Sequence, residues 1–287
     1  MPTVHLWDRA IIAVEGADAE TFLQNIVTTD LALLNEGEAR PGALLSPQGK
    51  ILFDFLVSRA GNERLLLECR AALADDFVRR LTLYKLRAKA VITKRDQAVV
   101  AVTWGGDSST SQTDSGVADT RFPATVKVVR CYASPLPAEN TPEADWHALR
   151  IAHGVAESGF DYAAGDAFPH DVLLDENGGV GFRKGCYIGQ EVVSRMQHRG
   201  TARRRVLIAT AAHSLPASGT EIVTGGRAVG ALGTVVGGRA LAIARIDRVK
   251  EALDAGQSIT AADVPLALDI PPGASFTFPE ATAAEGA

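Results

Sequence analysis

Apolar positions along the chain change their spacing in an order that outlines its elements. Ala10 to Val14 is a short extended run closed by Gly16. From Asp18 to Thr28, Phe22, Leu23, Ile26 and Val27 share one helical face, with Asp18 and Glu20 at the end that favours negative charge. Ile51 to Val57 predicts a strand. Arg64 to Glu68 predicts its hairpin partner beyond Ala60-Gly61-Asn62, and Leu73, Phe77 and Leu81 put a second helix over about 71–84. Ala90 to Thr93 and Ala98 to Thr103 predict further strands, Gly105 to Thr120 a loose loop, and Arg121 to Tyr132 mainly strand. Glu143 to His153 predicts a helix that packs through Trp146, Leu149 and Ile151 and stops at Gly154.

Beyond about Thr201 the period shortens. Val206 to Ala212, Glu221 to Thr224, Ala228 to Val236 and Ala240 to Ile246 are short β-runs between Gly pairs, the pattern of a small β-barrel. The chain thus divides into residues 1–200, a barrel over 201–275, and a tail over 276–287 that is Ala/Glu/Thr-rich and expected to fray from Pro279.

Composition narrows the picture. The 287 residues are 46% hydrophobic and 22% charged, ordinary for a globular chain of two or three domains. The net charge of −5 excludes a bulk nucleic-acid binder. No stretch approaches a membrane span, and the N-terminal apolar run is too short for a signal sequence. Three scattered cysteines, Cys69, Cys131 and Cys186, make neither a disulfide framework nor a ligand set for a cluster. A soluble cytoplasmic protein with reduced thiols is the expectation, with no membrane contact.

The charge is unevenly spread. Residues 183–205 hold seven Lys or Arg (183, 184, 195, 199, 203, 204, 205) against one acid, Glu191. This patch invites an anion: phosphate, a cofactor's glutamate tail, or RNA. A helix is predicted from Ile188 to Arg199, with Ile188, Val192 and Met196 as its apolar stripe, a Glu191–Arg195 pair and Gly200 as its stop. Lys184-Gly185-Cys186 then falls just before a helix N-terminus, where a thiolate is favoured. From position alone, a reactive Cys186 and a buried inert one stand level. Cys69 and Cys131, in apolar β-like surroundings, read as buried.

Lys184-Gly-Cys-Tyr-Ile-Gly-Gln-Glu191, with Arg195 and Arg199-Gly200 after it, resembles the signature of YgfZ-type folate-binding proteins, relatives of the glycine-cleavage T-protein. Phe22-Leu23-Gln24 with Thr28-Thr29-Asp30, Gln48-Gly49-Lys50 to Val57, and Leu149-Arg150-Ile151-Ala152 are similar to further family blocks, from about Ala10 to Leu268. The resemblance implies an α+β fold: two interleaved domains with ferredoxin-like elements and a C-terminal β-barrel around a central folate cavity. It implies a folate-binding accessory role in iron–sulfur cluster assembly or repair, linked to tRNA-modifying enzymes. Tetrahydrofolate or another reduced folate is the implied cofactor, and iron–sulfur assembly proteins or client enzymes are the implied partners. Lys184 and Cys186 are then the functional pair, and Asp54, Gln190, Glu191, Arg195 and Arg199 hold the motif or the folate.

Two departures bear on chemistry. Where T-proteins tend to pair aspartates, this chain reads Phe53-Asp54, and Pro169-His170-Asp171 stands where a Pro-Gln pair is common. One carboxylate is a poor set for aminomethyl transfer, so a true aminomethyltransferase is not expected. A one-carbon transferase using Asp54 and a tRNA-binding module using the Arg cluster are the rival readings.

Overall fold

The computed structural model describes residues 1–96, 99–105 and 116–279. Nearly all of the tail expected to fray from Pro279, and residues 106–115 of the loop expected at 105–120, lie outside the described residues, while residues 116–119 of that expected loop are strand instead. In chain order the elements are β1 (Thr3–Leu6), β2 (Arg9–Glu15), α1 (Ala19–Gln24), β3 (Glu38–Leu45), β4 (Ile51–Arg59), β5 (Arg64–Arg70), α2 (Ala74–Lys85), β6 (Val91–Lys94), β7 (Val100–Thr103), β8 (Gly116–Asp119), β9 (Val129–Cys131), α3 (Glu143–His153) and α4 (Gln190–Arg199). There follow β10 (Arg204–Thr210), β11 (Glu221–Thr224), β12 (Arg227–Val236), β13 (Arg239–Arg245), α5 (Ile246–Asp254), β14 (Ile259–Ala261), β15 (Val264–Pro265) and β16 (Ala267–Asp269). The structure is α+β.

Two compact units form. The first comprises residues 1–145, 164–169 and 177–194. Its nine strands run in the order β1-β7-β9-β8-β3-β4-β5-β2-β6, all antiparallel except β3 with β8. One face carries Ile12, Val14, Phe53, Phe55, Val57, Leu67 and Cys69, and α1 and α2 bury Leu23, Phe77 and Leu81 against it. Phe53 stacks on Phe77 at 4.7 Å between ring centroids.

The opposite face holds charge. Glu68 on β5 accepts from Arg9 (2.8 Å), from Arg130 on β9 (2.8 Å) and from the Tyr132 hydroxyl (3.0 Å). Arg130 and Arg121 both pair with Asp119. Strands β5 and β9 are four places apart in the sheet, roughly 19 Å if it were flat. No Arg–Glu pair reaches that far, so the sheet curls and this face becomes its concave inside. Burial opposes ionisation of Asp119, but the Arg121 and Arg130 guanidiniums win and hold its pKa below the usual carboxylate range. Burial and the facing Glu68 push the Tyr132 phenol well above its ordinary value.

The second unit comprises residues 146–163, 170–176 and 195–287. Its strands run β15-β14-β11-β12-β13-β10-β16, a small, nearly closed barrel around Leu207, Ile222, Leu232, Ala242 and Leu268, with Ile246 and Val249 of α5 packed against it. Buried Arg150 on α3 donates to Asp161 (2.9 Å), the Val155 carbonyl (2.9 Å) and Thr234 of β12 (2.8 Å). Asp161 in turn accepts from the Thr234 amide and hydroxyl, both at 2.7 Å. One charged pair thereby joins α3 and the following loop to a barrel strand.

Most of 121–132, expected to be strand, is turn structure, and only Val129–Cys131 pairs. Pro123 and the positive φ of Lys127 (51°) break the run. The helix expected from Ile188 begins at Gln190, and its most buried residue is Val193 rather than Met196. Ile188 instead packs from the preceding loop into the cluster that holds Phe77 and Leu81.

Candidate functional site

The signature loop is fixed by backbone contacts in the first unit. The Thr28 hydroxyl donates to the Gly179 carbonyl (2.6 Å) and accepts from the Ala43 amide (2.9 Å), and the Gly181 amide donates to the Thr28 carbonyl (2.8 Å). Lys184 Nζ donates to the carbonyls of Val27 and Thr29, both at 2.7 Å, and lies 5.4 Å from the Tyr187 ring centroid. Burial pulls its pKa down to about 8, with Asp30 opposing. Lys184 thus pins residues 181–187 to the segment after α1.

The next tie is steric. Gly49, in the β3–β4 turn, and Gly189, just before α4, both have positive φ (81° and 79°). A Cβ on Gly189 would stand 2.6 Å from the Ser46 carbonyl oxygen and 3.1 Å from the Gly49 Cα. A Cβ on Gly49 would stand 2.9 Å from the Val192 Cβ. The Gln-Gly-Lys and Gly-Gln-Glu blocks are therefore two halves of one close backbone approach. Lys50 completes the hairpin by donating to the Asp166 carbonyl (2.6 Å) over the Phe168 ring (3.5 Å).

Between these ties Cys186 is exposed, whereas Cys69 and Cys131 are buried. Burial pushes the Cys69 thiol up to about 12. Cys186 stands four residues before the first helical residue, so the sequence-based placement at the helix terminus is corrected: an anchored loop, not the helix end, presents the thiol. Gln190 is half-buried in the first turn of α4, while Glu191, Arg195 and Arg199 are exposed along it. Asp54 is half-buried on β4, opposite Phe53 and hence on the concave face, where Ser58 Oγ is buried without a hydrogen-bond partner among the described residues. Among the described residues, no group of three or more His, Cys, Asp or Glu side chains could hold a metal ion, and no helix is long and apolar enough to cross a membrane.

The sequence reading missed the partners of Lys184. Gln24 donates to Asp30 (2.8 Å) and accepts from the Leu31 amide (2.8 Å), which shapes the turn that offers its carbonyls to the lysine. The signal was present as Gln24 and Thr28-Thr29-Asp30, but a lysine held by main-chain oxygens leaves no side-chain pattern. In the second unit, His170 is buried, its Nε2 3.0 Å from Gln197 Oε1, and burial lowers its pKa. Arg205 donates to the His170 carbonyl and to Asp175. Arg205 is therefore part of a buried ion pair rather than of a solvated cationic run.

Geometry and comparison define the same class. Residues 8–115 match the model of the GCVT N-terminal domain, and residues 203–276 match that of the CAF17 C-terminal beta-barrel domain. The crystal structure of glycine cleavage system aminomethyltransferase T from Bartonella henselae superposes with a TM-score of 0.69 over 94% of this chain and 84% of that one, at 16% identity. The fold is GCVT-like with a CAF17-type barrel.

The relatives in sequence are iron–sulfur cluster assembly factors. The IBA57 homolog of Chaetomium globosum is 32% identical over 241 residues, covering 70% of this chain and 54% of that protein. IBA57 of Mus musculus is 28% identical, covering 84% and 77%, and that of Homo sapiens 28%, covering 92% and 82%. The chain spans about half the length of the fungal relatives it matches. All of these relatives are named mitochondrial, which overturns the cytoplasmic placement expected from composition. Scattered cysteines fit a reducing environment, which more than one compartment supplies.

Proposed function

We propose that the chain is an accessory factor of iron–sulfur cluster assembly in which Cys186 supplies a single thiolate to a cluster in transit. The observation that carries this reading is one exposed cysteine, on a loop anchored at both ends, beside two buried ones. Cluster irons are held by several thiolates, and Cys186 offers one, so a partner or a small thiol supplies the others. The naming of the relatives as cluster assembly factors supports it. The resemblance to YgfZ-type proteins extends the clients to enzymes that modify tRNA. Reconstitution with iron, sulfide and glutathione under anaerobic conditions tests it. Wild type should gain visible thiolate-to-iron absorbance, and Cys186→Ser should not. Equal absorbance in both would sink the proposal.

We propose a reduced folate as a ligand on the concave face. Asp54 and the Ser58 hydroxyl, without a partner among the described residues, can accept from the amino and ring N–H groups of a pterin, and Gln190 and Glu191 open α4 directly after Gly189, which meets the β3–β4 turn. When bound, the folate supplies one-carbon chemistry. The chain's own part is to bind and orient it. Phe53 is committed to the core against Phe77, so Asp54 has no neighbouring carboxylate from that position, and turnover of an aminomethylated carrier is not expected. Calorimetry with tetrahydrofolate should give binding that Asp54→Asn weakens about tenfold, as for one charge-assisted bond. Absence of heat with the wild type would exclude the ligand.

A further inference from the structure

Residues 79–95 hold seven Lys or Arg and no acid, a bias stronger than that around the signature. The stretch is the second half of α2, its connection and β6. Three of the seven are engaged within the unit: Arg79 with Asp76, Lys94 with Asp75, and Lys85 Nζ with the Ala90 carbonyl (2.9 Å). Arg80, Arg87, Lys89 and Arg95 make no ion pair among the described residues. Among them sit large aliphatic side chains turned to solvent: Leu83 is 69% exposed, Leu86 85% and Val91 62%. Leu86 also holds a strained backbone, φ 48° and ψ −108°, at the turn after α2.

Three kinds of partner could meet such a surface. Nucleic acid gains from cations with exposed aromatic rings, and the stretch has only half-buried Tyr84. A lipid surface could take the leucines, but β6 ends the sheet, pairing only with β2 among the described residues, and an open strand edge is costly in hydrocarbon. A protein uses all three features: apolar contact inside a charged rim, and main-chain pairing along the edge. The uncompensated cations require that protein to be acidic. Ile188, two residues from Cys186, packs in the same apolar cluster as Phe77 and Leu81 of α2, so the thiol's loop and this helix cover one face of the sheet.

We propose that the second half of α2 and edge strand β6 form the docking surface for an acidic protein partner, the one that shares the cluster with Cys186. The partner's cargo rests on the reading above; its binding does not. The probe is a short fluorescent peptide of alternating Val and Glu, measured by anisotropy at low salt, beside a Val–Lys peptide, a short single-stranded RNA, and phosphatidylcholine vesicles containing phosphatidylglycerol. The acidic peptide should bind. The exposed-residue variant Arg80→Glu/Arg87→Glu/Lys89→Glu should weaken it at least tenfold, the neutral Gln triple less, and Cys186→Ser not at all. Absence of peptide binding, or binding indifferent to the triple variants, would overturn the proposal. So would RNA or vesicles binding more tightly through the same three residues. Loss of peptide binding together with intact cluster absorbance on reconstitution would establish the surface as separate from the thiol.

Discussion

Lys184 concentrates most of what a single residue contributes here. Its ammonium gives up water for two carbonyl oxygens, and its pKa falls to about 8 against about 10.5 unfolded. Between those values the unfolded chain binds more protons, so folding stability contributed at this site rises with pH across that window. The stability difference between wild type and Lys184→Met, followed by urea unfolding, should therefore move in favour of wild type from pH 8 to pH 10. A difference flat across that range would show that the lysine is not held as described. The motif itself was legible in the sequence, because Lys-Gly-Cys-Tyr with Gly-Gln-Glu is a rare string. What it did not reveal is that the lysine faces main-chain oxygens. Its two main-chain bonds pin the loop, and exposure distinguishes Cys186 from its two buried counterparts.

At the scale of elements, close approaches and buried pairs set the geometry. Gly49 and Gly189 meet backbone to backbone, so Ala at either should cost about 2–4 kcal/mol from positive φ and overlap together. Gly37 shares the positive φ but faces open space, and Ala there should cost only about 1 kcal/mol. Equal losses in denaturant midpoint at all three positions would refute the packing argument. In the second unit, Asp161→Ala leaves buried Arg150 with the more distant Glu157 (3.8 Å) as its counter-charge, and should cost about 3 kcal/mol. A loss under 1 kcal/mol would mean that water replaces the carboxylate. Helices α1 to α4 and the β4–β5 hairpin were readable from period and turn residues, whereas α5 and β3 went unread. The start of α4 was misplaced by two residues because Ile188 looks like part of its stripe, yet serves the sheet's cluster from the loop. The Arg121–Tyr132 run misled because β-branched residues around Pro123 suit a strand that Lys127's positive φ forbids.

For the whole molecule, the curled sheet is what local patterns could not show. Its inside is lined by Arg9, Glu68, Arg130 and Asp119, drawn from strands far apart in sequence, and no periodicity announces a salt bridge between β5 and β9. Asp119, with its lowered pKa, contributes stability that is present above the unfolded value near 3.8 and is lost as pH falls below it, so acid should open the first unit. The barrel was legible from its short strands and Gly pairs, and its match to the CAF17 domain agrees. The central claim joins fold to chemistry: a T-protein frame that presents a single thiol. Its most direct test is the activity of an iron–sulfur enzyme in cells lacking the native protein, restored in turn by wild type, Cys69→Ala, Cys131→Ala and Cys186→Ala, with thermal unfolding of each purified chain. The account predicts that Cys186→Ala unfolds at the wild-type temperature and restores nothing, while the other two restore activity as far as they stay folded. Rescue by Cys186→Ala equal to wild type would contradict it.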